Sequence, residues 1–260
     1  MPPGYNKRGF RIYVVLILIS SISSGLNTLL GGVPHFLTAF WDLSLFVNVM
    51  LDMMIIFFIY GFIGLFGFKL AGEADLPGMW KARYPGLEDY IEPVVMGLLL
   101  AGIFVSMEFF FGYLHGLGKF PLPEAPFSLF TLIVSAVGEE VLYRLFLIPL
   151  IITLLLKIWR RLGGVGFNRR KKLERKLFWP AAILAGIFYT IVHGFDIIYS
   201  LEILDPAHVP LILWLQIILM NLFLSLFAAW QYRKRGFLAA VIFHGFFGLG
   251  WYVIWGNIII

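Results

Sequence analysis

The chain has 260 residues, of which 60% are hydrophobic, 18% aromatic and only 13% charged. That balance is too apolar for a water-soluble domain and places the chain in a membrane. There is no cysteine, which excludes disulfides, thioether-linked haem and thiolate metal sites, and the net charge of +5 sits almost wholly between apolar runs.

Seven spans are predicted in chain order, at about 11–31, 43–69, 92–116, 127–157, 178–200, 209–231 and 236–260. Each reaches the roughly 20 residues that a helix needs to cross a hydrocarbon core of about 30 Å. They are apolar on all faces, whereas a spanning strand alternates apolar and polar over about ten residues, so helices are the only reading. The expected fold class is therefore all-α, a polytopic transmembrane helical bundle forming a single integral membrane domain over 1–260. It belongs in a cell membrane, or in the endoplasmic reticulum of a eukaryote. The first span follows Lys7, Arg8 and Arg11 and runs apolar past its serines to Leu30, which reads as a retained span rather than a signal peptide.

Lysine and arginine set the direction, because they are retained on the cytoplasmic face. With the N-terminus cytoplasmic, that face holds Lys7, Arg8, Arg11, Lys69, Lys81, Arg83, the block from Lys157 to Lys176, and Arg233, Lys234 and Arg235. The opposite loops then hold Lys119 beside Glu124, Glu202 and Asp205. The basic block resembles a nucleic-acid patch, but beside a membrane it faces anionic headgroups, at about 1 kcal/mol per basic residue. Membrane lipid, not nucleic acid, is the expected partner, and nothing in the chain sets an oligomeric state.

A charge at the centre of a spanning helix costs about 2.5 to 3.5 kcal/mol, so ionisable groups there are functional candidates. Asp52, Glu108, His115, Glu139, Glu140, Arg144, His193, Asp196 and His244 lie inside the spans, while His35, Asp42 and His208 fall near span ends. Glu140 and Arg144 are four apart and stack on one helix face, acid first, as a pair. Glu139 points about 100° away and is left uncompensated, which suits a general base. His193 and His244, on two further helices, are groups able to orient water, share a proton or donate to an oxyanion. Counted along the helices, Glu139 and His193 lie within about 5 Å in depth, with His244 shallower. Asp52, Glu108 and Asp196 are expected to be structural pairs, with Glu108 on one helix face with His115 and Asp196 near His193.

In "EEVLYR", Glu139 to Arg144, the chain resembles the EExxxR motif of the CPBP (Abi) family of intramembrane glutamic proteases, which includes the CAAX prenyl protease type II enzymes. Tyr189 to His193 is similar to the family's FxxxH, with tyrosine for phenylalanine. His244 matches the third motif, although position 248 is glycine where the family has asparagine. The motifs fall in 127–260, within a catalytic core expected over 92–260. The resemblance implies a membrane-embedded hydrolase, an endopeptidase cleaving a membrane-associated peptide, prenylated in the eukaryotic relatives. It also implies roles: Glu139 and His193 activate water, His244 donates to the oxyanion, and Glu140 and Arg144 hold the site in shape. No cofactor is implied. Losing one oxyanion donor costs about 2.7 to 4 kcal/mol, and Asn221 or a backbone N–H is a candidate to replace it.

Three rival readings stand beside this one. Glu139, His193 and His244 are also possible metal ligands, though there is no HExxH. The charges also suit a non-catalytic scaffold or immunity-type protein, with "GYLHG" at 112–116 as a GxxxG packing motif. An ion- or proton-coupled transporter is the third, without visible inverted repeats.

Overall fold

The computed structural model describes residues 7–32, 43–81, 85–161, 167–201, 203 and 208–259. His35, Asp42, Arg83, Glu202, Asp205 and positions 162–166 of the basic block lie outside the described residues. Among the described residues every regular element is helical. Seven helices are long and apolar enough to cross a membrane: span 1 (Lys7–Leu29), span 2 (Leu45–Glu73), span 3 (Glu88–His115), span 4 (Phe127–Trp159), span 5 (Leu173–Ser200), span 6 (Leu211–Arg235) and span 7 (Phe237–Ile258). The protein is a multi-pass integral membrane bundle. Phe46, Phe62, Phe109 and Phe110 stand exposed on its outside, where a soluble protein would carry charge and a membrane protein meets lipid.

Alternating spans gather the basic residues at one end of the bundle. There Arg8 lies 5.6 Å from the centroid of the Trp80 ring, and the Arg233 guanidinium donates to the Arg175 carbonyl at 3.3 Å. Lys234 pairs with Glu92 at 2.6 Å, and Arg235 pairs with both Asp89 and Glu92. These contacts tie spans 3, 5 and 6 together at the basic end.

Two cores divide the bundle by depth. The basic half is filled by Tyr13, Val141, Leu145, Ile152, Ala181 and Phe237, among others, from spans 1, 4, 5 and 7. The other half is packed around Phe104, Tyr189, Met220, Phe247 and Trp251. Between them span 4 changes its winding, from α-helix over Phe127–Glu139 to π-helix over Glu140–Leu147 and back to α-helix from Ile148. Such wide turns are rare and concentrate at functional sites. The change falls at the first residue after Glu139.

Spans 3 and 7 cross with their backbones nearly touching, since a Cβ on Gly97 would come within 2.4 Å of the Phe243 carbonyl oxygen. Gly97→Leu is accordingly expected to destabilise the bundle by more than the roughly 1 to 3 kcal/mol of an ordinary overpacked core. The check is the thermal midpoint in detergent, and a midpoint unchanged from wild type would refute this crossing. The expected GxxxG motif, by contrast, does other work. Gly116 caps span 3 in a left-handed conformation, φ 73°, and Gly112 makes room for the Gly118 carbonyl, 2.9 Å from where its Cβ would be. Both glycines serve the turn that ends the span, because the chain doubles back there.

Candidate active site

Thr131, Ser135 and Glu139 recur every fourth residue along span 4 and all line one cavity of about 390 Å³. His193 of span 5 reaches the same cavity, and its Nε2 lies 3.3 Å from Glu139 Oε1. The other ring nitrogen, Nδ1, lies 3.0 Å from the Tyr189 carbonyl oxygen one turn back. A carbonyl only accepts, so Nδ1 carries the hydrogen and Nε2 of the neutral ring is an acceptor. It faces a carboxylate that also accepts. One proton held between them completes the bond, so the pair is built to take up and return a proton.

His244 joins the site from behind. Its Nδ1 lies 2.8 Å from Glu140 Oε1 and its Nε2 3.6 Å from Glu139 Oε2. Glu140 holds Arg144 in turn, with Nε 3.3 Å from Oε2. The i,i+4 pair expected from the sequence is therefore present, with both members inside the π-helical stretch. The Arg144 guanidinium also lies 5.3 Å from the Tyr189 ring centroid and 5.8 Å from that of Tyr143, a favourable contact for a buried cation. Tyr189 stacks on the His193 ring at 4.0 Å, so one aromatic ring links the arginine to the histidine.

Burial separates two classes of residue. Glu140, Arg144 and His244 are at most 1% exposed, whereas the side chains of His193 and Glu139 retain 22% and 19%. A molecule in the cavity therefore meets Glu139 and His193 first. Glu139 also borders a second cavity of about 210 Å³, together with Ser24, Asn27 and Tyr60 of spans 1 and 2.

The shallower position expected for His244 is corrected here. Span 7 does not begin at a free surface: Phe237 donates to the Gly78 carbonyl and Leu238 to that of Met79. Phe237 and Ala240 are fully buried. Residues 78–81 roof the start of the helix, so eight residues in is already at the depth of Glu139. The remaining membrane acids divide. Asp52 accepts from Thr28, and Glu108 accepts from the Phe120 N–H at 2.6 Å and from Trp255 Nε1 at 2.5 Å, as expected of structural pairs. His115 does not join Glu108 but meets Gln216 Oε1 at 2.9 Å. Asp196 lies beside His193 on the cavity, as its spacing suggests, but not in the expected structural pair. It is exposed and lines the cavity, and it has no hydrogen bond or ion pair among the described residues.

Two polar residues of the cavity wall bear on Gly248. Asn221 lines it, with Nδ2 donating to the Ile217 carbonyl at 2.9 Å. Tyr252 also lines it, and the sequence reading missed it. The signal was present, since Tyr252 lies one turn beyond Gly248 and two beyond His244, on the same helix face. Among the described residues no three His, Asp or Glu side chains form a cluster able to hold a metal ion. The two imidazoles approach Glu139 through different oxygens.

Comparison with known proteins adds one match, to the family model described as type II CAAX prenyl endopeptidase, Rce1-like, over residues 121–250. No curated protein and no solved structure matches the chain. The matched segment is half of the sequence and contains all five residues of the Arg144–Glu140–His244–Glu139–His193 chain. On that match the chain belongs to the Rce1-like family of type II CAAX prenyl endopeptidases.

Proposed function

We propose that this protein is an intramembrane endopeptidase that hydrolyses a peptide bond of a membrane-associated peptide with water activated by Glu139 and His193. The supporting observation is the 3.3 Å contact between these two side chains at the open wall of an otherwise buried polar chain. Water hydrogen-bonded to Glu139 gives up its proton to the carboxylate as its oxygen attacks the carbonyl carbon. The tetrahedral oxyanion then faces the donors of the site, and His244 Nε2 is one of them when its ring is protonated. Collapse breaks the C–N bond, and the proton taken by Glu139 passes to the departing amine. Glu140 and Arg144 hold His244 and Tyr189 in place and do not touch the substrate.

The family description names a prenyl substrate, so a prenylated CAAX reporter belongs in the assay beside unmodified peptides. With purified protein in liposomes, His193→Ala is expected to lower the cleavage rate by about 10²- to 10³-fold, within the range of general acid–base assistance. The rate is expected to persist in the presence of a chelator. Equal rates for wild type and His193→Ala would refute the pair. A rate abolished by chelation and restored by a divalent metal would replace it with a metalloprotease.

A further inference from the structure

The acids of the spans have partners within the fold, with one exception. Asp52 accepts from Thr28, Glu108 from Phe120 and Trp255, and Glu140 holds His244 and Arg144. Glu139 faces His193. Asp196 makes no hydrogen bond or ion pair among the described residues, yet its exposed side chain lines the same cavity as Glu139 and His193. It stands three residues after His193 on span 5, so the two share a helix face. Along the axis that step is about 4.5 Å. A carboxylate so placed, with no partner inside the fold, is free for one that enters the cavity.

The cavity supplies no cation of its own. Among the described residues no lysine or arginine lines it. Arg144 is buried behind it and held by Glu140. Lys119, next to Phe120 in sequence, has its Nζ 4.5 Å from the Trp255 ring centroid and 5.5 Å from that of Phe109, and neither ring lines the cavity. The wall facing Asp196 is instead aromatic, with Phe104, Phe120 and Trp251. An acid opposite an apolar wall is complementary to a side chain with an apolar stem and a positive head. Lysine and arginine have that form: the stem covers the rings while the head reaches the carboxylate.

We propose that Asp196 determines specificity by binding the cationic side chain of a lysine or arginine in the peptide, close to the bond that is cut. An extended peptide advances about 3.3 to 3.6 Å per residue, so a cation one helical step from His193 belongs within a few residues of that bond. The place relative to the cut bond rests on the endopeptidase reading; the binding of a cation at Asp196 does not.

Binding and cleavage test the two parts separately. The binding probe is a fluorescent apolar peptide, blocked at both ends, with a single lysine; its control has norleucine in that place. Both are titrated onto Glu139→Gln protein in nanodiscs of phosphatidylcholine, a neutral lipid that does not attract lysine. The lysine peptide is expected to bind about fivefold more tightly, the upper end of what an exposed ion pair provides. Asp196→Asn in the same background keeps the shape of the side chain and is expected to abolish the difference, and Asp196→Lys to favour a glutamate peptide instead. No preference for lysine, or one that survives Asp196→Asn, would overturn the proposal whether or not the protein cleaves anything. In the cleavage assay lysine is moved one residue at a time through a reporter that the protein cuts. At one position it is expected to raise kcat/KM by about the same factor, and Asp196→Asn to bring the lysine and norleucine reporters to equal rates. A binding preference for lysine with none in cleavage would overturn the place beside the cut bond. The same preference with no reporter cut would count against the endopeptidase reading and leave the cation site standing.

Discussion

Glu139→Gln is expected to lower kcat by about 10³- to 10⁴-fold while leaving the thermal midpoint close to that of wild type. Glutamine has nearly the same shape and can donate its amide to His193 Nε2, now 3.3 Å from Oε1, so the fold loses little. What it cannot do is accept the proton of an attacking water, and the upper part of the general-base range is at stake. Glu139 also has no arginine partner, because Arg144 is held by Glu140, so neutralising it leaves no buried cation uncompensated. Initial rates on a cleaved reporter and melting in detergent check the two halves separately. A variant that melts normally and still turns over within tenfold of wild type would remove Glu139 from its role as base.

The same stretch shows what a sequence can carry. Seven runs of about 20 apolar residues specify seven spans, since a helix must satisfy its own backbone in lipid. The spacing of Glu140 and Arg144 specifies their pairing, and the pairing leaves Glu139 over. What was not legible arises from elements that meet only in three dimensions. The depth of His244 depends on residues 78–81 roofing span 7, a contact between segments more than 150 positions apart. The π-turn of span 4 leaves no mark in composition. "GYLHG" reads as a packing motif until the chain is seen to turn back at Gly116. The place of Asp196 beside the His193 cavity was legible from its spacing, whereas its exposure there, in place of a structural pair, was not. Tyr252 is legible by spacing alone, since it stands one turn beyond position 248 and lines the cavity.

The largest effect on folding is expected at Arg144, whose charge is fully buried. Glu140→Leu leaves that guanidinium with two tyrosine faces and no carboxylate partner, and breaking a buried pair from one side costs about 3 to 5 kcal/mol. Arg144→Leu leaves the opposite charge, but His244 Nδ1 still bonds Glu140 at 2.8 Å, so its cost is expected to be the smaller of the two. Replacing both residues by leucine removes both charges from the low-dielectric interior, and the double variant is expected to melt above the Glu140→Leu single variant. Catalysis is expected to follow another order. Without Glu140 the His244 ring loses the partner that fixes its tautomer, and the double variant, though folded, is expected to remain slow. Melting curves for the three variants, set beside their cleavage rates, separate the two roles. Additive losses of stability would show that the pair does not act as a unit, and a fast double variant would show that His244 needs no partner to do its work.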